Sequence, residues 1–415
     1  MSTVRPPRKV MYVPIEIKAR ELNAKLLFSY YAALENYRVI IGEQRIVEQA
    51  SNVMPPGIFF SKGYSQRYRR RVLTNAKKAG HAIVELDEEG FIFHDPAIYL
   101  TERMNEAMLP LVEQIYCWGP HQREVIVNAY PACDARCFIV GNSRFDLLKK
   151  KYRPLFKEKA SLLKKQYGDF ILVNTRFALY NHFRGKKQPD KDSGVEYIKK
   201  LYDAFLDMVK TLSKRNLSLN IVVRPHPSEN AQSYRKEFSS FTNVYVRCDG
   251  QASDWIAASR VVIHNGCTTA IEASLLDTPV ISYLPFQDDR YDVALPNKAG
   301  VVLTSLDEVL YCMDHKVKRS RTRFLTPFYH KDLWAHEIIL SHVNQLKLKE
   351  APYKQINIPN VRSKHIKHRF PSLKAQEIRD FMTKLHHIEG GGDRVTIRPL
   401  AQNLFELSLD KGEKG

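Results

Sequence analysis

VVIHNGCTTAIEASLLDTPVISY, residues 261–283, decides the fold class. An apolar run is followed by a small polar loop (Asn265, Gly266, Cys267), a helix-like segment opened by Thr268 and Thr269, and a second apolar run from Pro279. Strand, short turn, helix and strand make one βαβ unit, the building block of a parallel sheet. Gly266 lets the backbone approach a ligand, while amides at the helix start and two threonine hydroxyls offer donors to an anion. Glu272 follows Thr268 by about one helical turn and can face the same ligand. The pattern suits a phosphate beside a sugar hydroxyl.

A second stretch lies upstream in the same predicted lobe. Residues 218–224 (SLNIVVR) read as a buried strand running into Arg224-Pro225-His226-Pro227-Ser228. Two prolines fix the loop at the strand's carboxyl end, where open α/β sheets bind ligands. Arg224 and His226 there suit a diphosphate or a departing monophosphate. A turn with a helix cap would by itself call for many of the same residues. The ligand reading gains from the two motifs sharing one lobe.

The chain has 415 residues, 44% of them hydrophobic, enough for two ordinary domains. It contains no run of about eighteen apolar residues, and MSTVRPPRK has no apolar core of signal-peptide type, so a cytoplasmic location is expected. Six cysteines without a CxxC or Cys/His cluster read as reduced structural thiols. A formal charge of +19 calls for an anionic neighbour: nucleic acid, a membrane surface or an anionic small substrate. Local basic runs at 67–71, 149–151, 316–323 and 362–369 do not choose among them.

Strands are predicted at 10–17, 38–42, 55–60 and 81–86, with helices at 20–35 and 64–79 between them. The strand 81–86 runs into Asp87-Glu88-Glu89-Gly90; three carboxylates at one strand end repel one another, a crowding that suits one of them to take a proton from an attacking hydroxyl. Segments 96–118 and 120–129 read as helices. Residues 136–141 read as a strand leading to Asn142-Ser143-Arg144-Phe145-Asp146, and the basic stretch 153–165 reads as the lobe junction. A second series opens with the strand 169–173 and Asn174-Thr175-Arg176. A mobile loop is predicted over 180–194, a long helix over 195–212, and further helices over 306–314 and 332–346. Residues 347–415 pattern weakly and read as an appended module or a partly disordered extension.

Taken in order, PIEIKARELNAKLL (14–27), LDEEG (86–90), WG (118–119), GNSRFDLL (141–148), ILVNTRF (171–177), RPHP (224–227) and HNGCTTAIEA (264–273) resemble the bacterial surface-carbohydrate biosynthesis proteins, relatives of glycosyltransferases of GT-B architecture. The resemblance implies an α/β fold of two Rossmann-like lobes facing a central cleft: an acceptor-side domain over 1–155, a nucleotide-sugar domain over 156–346, and an extension over 347–415. The acidic turn with a His-Pro loop is similar to the pair in bacterial sialyltransferases and Kdo transferases. Carried over, Glu88 is the base, with Asp87 or Glu89 as alternates. The loop of Arg224, His226, Pro227 and Ser228 stabilises the leaving phosphate. Asn265, Gly266, Cys267, Thr268 and Thr269 hold the nucleotide phosphate, with Glu272 on the ribose; Asn174, Arg176, Asn142 and Arg144 complete the substrate contacts. The chain departs from the family pattern at Ser143, where proline is usual, and at Arg176, where asparagine is usual.

The activity so implied is a metal-independent, cofactor-free transfer of a sugar, Kdo or another nonulosonate from a CMP donor, onto a surface-polysaccharide or lipid-linked acceptor, beside an anionic inner-membrane surface. The same fold also serves UDP-sugar transferases and nucleotide-sugar epimerases, which form the alternative. A basic nucleic-acid-binding protein is a third reading, set lower because no nucleic-acid motif is present.

Overall fold

The computed structural model describes residues 9–63, 66–93, 95–182, 193–215, 219–315, 317, 322–329, 332–348, 369–391 and 394–410. The chain divides into two units, residues 1–147 with 325–415, and residues 148–324.

In the first unit, strands β1 (Val10–Ile15), β2 (Arg38–Glu43), β3 (Ile58–Ser61), β4 (Ala82–Leu86), β5 (Gln114–Cys117) and β6 (Cys137–Ile139) form a parallel sheet in the order β2-β1-β3-β4-β5-β6. Their runs are apolar on both faces because helices cover both sides of such a sheet. Tyr12, Ile40, Phe59, Ile83 and Ile115 are fully buried among Ile46, Val72 and Leu73 from the flanking helices; each buried side chain of this size contributes about 1.5–3 kcal/mol.

The stretch 96–118 differs from the sequence reading. Residues 96–118 are not a single helix: a helix Pro96–Arg103 gives way to a 3-10 turn, Glu106–Leu111, and then to β5. Pro110 lacks an amide to continue the helical ladder, and the four buried residues QIYC pair with β4 and β6.

The second unit's strands are β7 (Phe170–Asn174), β8 (Asn220–Arg224), β9 (Val244–Val246), β10 (Val261–His264), β11 (Val280–Tyr283) and β12 (Val301–Leu303), all parallel, in the order β9-β8-β7-β10-β11-β12. Numbered within the unit this is 3-2-1-4-5-6, the doubly wound dinucleotide-binding order. The core packs the long helix Ser193–Lys214, through Leu201, Phe205, Met208 and Leu212, onto Ile171, Val173, Ile221 and Ile263. The loop expected over 180–194 falls mostly outside the described residues.

The boundaries expected at 155 and 346 give way to divisions after Leu147 and before Leu325. The C-terminal stretch expected as an extension is built into the first unit wherever it is described. β13 (Val395–Ala401) and β14 (Leu404–Leu409) form a hairpin, and β14 pairs antiparallel with β2. Asn403, at φ +62, turns the hairpin, accepts the Glu43 amide at 3.0 Å and holds the Leu373 amide on its side chain at 2.7 Å. Gly42 is obligatory beneath it, since a Cβ there would stand 2.1 Å from the Asn403 carbonyl. The amphipathic helix Ala375–Ile388 buries Ile378, Phe381, Met382 and Leu385. No helix among the described residues is long and apolar enough to cross a membrane.

Candidate functional site

Each sheet changes winding direction once, and the loops at that point gather the polar residues. In the second unit the switch lies between β7 and β10, whose ends are in register at Asn174 and His264. The Asn174 amide donates to Thr269 Oγ1 at 2.8 Å, joining two residues singled out 95 positions apart. Thr269 Oγ1 also lies 3.0 Å from Cys267 Sγ, and burial pushes that thiol up.

Arg176 is the decisive group. Its guanidinium lies over Gly266, where a Cβ would meet Nη1 at 2.4 Å, and Gly266 sits at φ +57, a conformation glycine adopts without strain. The side chain has no hydrogen-bond or ion-pair partner among the described residues. Burial pulls the guanidinium down despite the nearby Cys267, Asp292 and Glu229. A half-buried cation with no ion pair among the described residues is stabilised by a ligand that brings an anion.

Several predicted contacts are engaged elsewhere. The Gly266 amide donates to Asn297 Oδ1 at 2.7 Å, and the Cys267 amide to His264 Nδ1 at 3.2 Å. The Asn265 side chain donates to the Tyr283 carbonyl at 3.1 Å. The single N–H of Gly266 and of Cys267 is thereby used within the loop, and Asn265 ties it to β11. Because His264 Nδ1 accepts, its Nε2 carries the proton and donates to Ser282 Oγ at 2.9 Å; burial pulls the imidazole down to about 3 and keeps it neutral. Thr268 is exposed at the loop's tip, and Glu272 is buried on the first turn of the following helix.

Arg224 also departs from expectation. Its guanidinium donates to the Asp249 and Gly250 carbonyls at 2.6 and 3.2 Å and stacks on Trp255, a structural clamp between β8 and the loop after β9. His226 is exposed, with Nδ1 accepting the Ser228 amide at 3.2 Å; Pro227 is exposed beside it. Glu229, unremarked in the sequence, fixes this loop. Its buried carboxylate accepts from the His226 amide at 2.9 Å and from the Thr175 hydroxyl at 2.8 Å, and from Tyr234 at 2.5 Å.

In the first unit the switch lies between β1 and β3. The three carboxylates of the acidic turn do not crowd one another, because each has its own cation. Asp87 is fully buried and held by the Arg103 guanidinium, while its carbonyl accepts from Trp118 Nε1 at 2.7 Å. That role is architectural, and it removes Asp87 as an alternate base. Glu89 pairs with Arg20 at 2.7 Å toward solvent. Glu88 is 6% exposed and pairs with Lys25 at 3.1 Å.

Lys25 and Lys62 were not singled out in the sequence, yet they organise this end of the sheet. Lys25 bridges Glu88 and Glu21, while Lys62 bridges Glu21 and Glu16 at 3.4 and 2.7 Å. Against the burial that opposes ionisation, Lys25, Lys62 and Arg20 hold Glu21 well below the usual carboxylate range. Glu21 in turn accepts the Glu16 and Ile17 amides, both at 3.1 Å, fixing the start of the helix Lys18–Leu34. The signal for Glu21 and Lys25 was their i, i+4 spacing inside PIEIKARELNAKLL, whereas Lys62 reaches them from a distant strand end.

Asn142 caps the short helix Ser143–Asp146 by accepting the Arg144 amide at 2.9 Å, with Arg144 half-buried on that turn. Ser143 takes the first helical position, where proline is equally at home. The substitution relative to the family pattern therefore leaves the turn intact. Asp146 accepts the Ala335 amide at 2.8 Å and caps the helix Ala335–Val343.

No family model matches the chain, and no curated protein matches it. Solved structures do. The UDP-GlcNAc 2-epimerase of Methanocaldococcus jannaschii, in complex with UDP-GlcNAc and UDP, aligns over 81% of this chain and 99% of its own with a TM-score of 0.51 at 12% identity. The fold is GT-B. A UDP-N-acetylglucosamine 2-epimerase of Listeria monocytogenes, described as putative, aligns over 81% of this chain and 95% of its own at TM-score 0.51 and 13% identity. S. aureus MnaA with UDP aligns over 81% and 96% at TM-score 0.50 and 12% identity. At such identities the likeness establishes the two-unit α/β architecture with its parallel sheets. The M. jannaschii and L. monocytogenes neighbours are described as epimerases of a UDP-sugar, not as the Kdo transferases or sialyltransferases that the sequence motifs resemble. Among the described residues no group of His, Cys, Asp and Glu is placed to hold a metal ion.

Proposed function

We propose that this chain is an enzyme of nucleotide-sugar chemistry that takes a UDP-sugar and inverts a carbon of the sugar. Its diphosphate binds at the β7/β10 switch of the second unit. The observation that carries the reading is Arg176, a half-buried guanidinium with no hydrogen-bond or ion-pair partner among the described residues, laid over Gly266 at the point where doubly wound sheets receive nucleotides. Thr268 and Thr269 add hydroxyls, Asn174 orients Thr269, and Glu272 takes the ribose. A uridine nucleotide is favoured over a cytidine nucleotide because structures of this fold hold UDP or UDP-GlcNAc. Arg176 supplies the positive charge that would otherwise ask for a divalent cation.

The test is calorimetric titration with UDP, UDP-GlcNAc and CMP, followed by NMR of the UDP-sugar incubated in D2O with and without EDTA. The reading expects UDP to bind at least tenfold more tightly than CMP, and an epimeric sugar carrying solvent deuterium to form equally well in EDTA. Tighter binding of CMP, or an unchanged sugar, sinks it.

A second reading keeps transfer to a glycan acceptor, from a CMP-linked nonulosonate or a UDP-sugar. The buried carboxylate of Glu88 in the first unit favours it. Glu88 would take the proton of the attacking hydroxyl. Sugar transfer that depends on an added acceptor, and fails in Glu88→Gln, would select this reading.

A further inference from the structure

The first unit contains a cavity of about 30 Å³ lined by Val13, Phe28, Phe60 and Leu86 on its apolar side and by Ser61, Lys25, Lys62, Glu88 and Asn142 on its polar side. Ser61 is fully buried at the end of β3, and Asn142 is 4% exposed. The Ser61 hydroxyl and the Asn142 amide nitrogen are both buried without a hydrogen-bond partner among the described residues. A buried donor left unpaired is costly, and native proteins rarely leave two in one place. The lysines do not explain them: Lys25 is taken by Glu21, Glu88 and the Pro14 carbonyl, and Lys62 by Glu16 and Glu21. The Asn142 orientation is fixed too, because Oδ1 accepts the Arg144 amide and leaves Nδ2 as the unpaired end.

We propose that this cavity is a single-hydroxyl site, in which Ser61 Oγ and Asn142 Nδ2 hold one alcohol oxygen of a sugar against the Glu88 carboxylate, with a water in its place when no sugar is bound. The volume bounds the guest: a water needs about 10–15 Å³ of such space, so 30 Å³ has room for a hydroxyl and a water beside it. The chemistry decides its class. Asn142 Nδ2 donates, Glu88 accepts and Ser61 does either, a set that satisfies a group both donating and accepting; a carboxylate or phosphate would be repelled by Glu88. Ser61 thereby becomes a specificity residue, although nothing in its sequence context marks it. The inference rests on the nucleotide-sugar reading for the identity of the hydroxyl's owner, while the water-filled state does not depend on it.

The test has two arms. A crystal structure of the full chain at better than about 1.5 Å is expected to show one ordered water within hydrogen-bond distance of Ser61 Oγ, Asn142 Nδ2 and Glu88; a dry cavity overturns the proposal. In solution the sign of the Ser61→Ala effect is diagnostic. Removing an unpaired buried hydroxyl raises the melting temperature, whereas removing one that binds a water lowers it. A higher melting temperature for Ser61→Ala overturns the proposal, and a lower one supports it. Asn142→Asp keeps the cap on Arg144 and replaces the donor; with UDP-sugar as substrate it should raise KM by tenfold or more while the Kd for UDP alone stays within twofold. An unchanged KM overturns the sugar assignment. Failure of wild-type protein to bind UDP refutes the nucleotide reading instead and leaves the crystallographic arm standing.

Discussion

Substituting Gly266 by alanine tests the anion site through its geometry without touching a charge. The new methyl carbon would stand 2.4 Å from Arg176 Nη1, where ordinary contacts begin near 3.4 Å, so the guanidinium must retreat by roughly 1 Å. The retreat is inexpensive for the fold, since Nη1 is the far end of a flexible side chain. The backbone at φ +57 adds about 1–2 kcal/mol for a residue with a Cβ. The ligand should feel the change more sharply. A charge-assisted hydrogen bond to phosphate contributes about 1.5–3 kcal/mol, and losing it weakens binding by about ten to a hundredfold. Calorimetry with UDP gives the affinity, and urea unfolding gives the stability of the same samples. In a double-mutant cycle with Arg176→Met the two losses should fail to add, because both act on one contact. Gly266→Ala protein that binds UDP within twofold of wild type, while Arg176→Met does not bind, would refute the geometric argument.

Arg176→Met should by itself be neutral or stabilising in urea while abolishing measurable UDP binding, since burial penalises the cation and no partner among the described residues repays it; a loss of several kcal/mol of stability would show that the guanidinium serves the fold. Glu88→Gln should keep the fold, because Lys25 retains Glu21 and the Pro14 carbonyl, and under the transfer reading should lower turnover by about 10²–10⁴ as for loss of a general base; transfer within threefold of wild type would remove Glu88 from that chemistry. Glu48 accepts the Tyr68 hydroxyl at 2.6 Å, and burial pushes its carboxyl up to about 7. Its folded value lies above its unfolded one, so its contribution is fully present below about pH 4.5 and is lost as pH rises through 7, by at most about 3 kcal/mol; Glu48→Gln should flatten that limb of the urea midpoint against pH, and parallel curves would contradict the assignment. His264 acts at the other limb, with stability lost as pH falls from 6.5 toward 3, which the same titration of midpoint against pH should show.

The alternation of strands and helices was legible from local pattern. Strands buried on both faces leave continuous apolar runs, as in VVIH and FILV, and Gly-Pro punctuation marks their ends. The exception, β5, was hidden because four residues are too few to show a period and followed a helical stretch. The C-terminal hairpin was hidden for a related reason: its partner strand β2 lies hundreds of positions away, and its edge strand β13 alternates with exposed Thr396 and Arg398.

By itself the sequence determined which residues stand at strand ends, because a chain entering a parallel sheet must leave it in a loop, and polar, glycine and proline residues accumulate there. It could not determine where each side chain turns, since that depends on neighbours supplied by distant segments. Arg224 and Arg176 both follow apolar strands, yet the carbonyls of Asp249 and Gly250 claim one, while the other lies over Gly266 with no hydrogen-bond partner among the described residues. Asp87 and Glu88 are adjacent in the chain, and pairing with Arg103 or Lys25 gives one to the architecture and sets the other on a cavity. Charge is written in the sequence, but whether a charge is already neutralised is a property of the folded molecule.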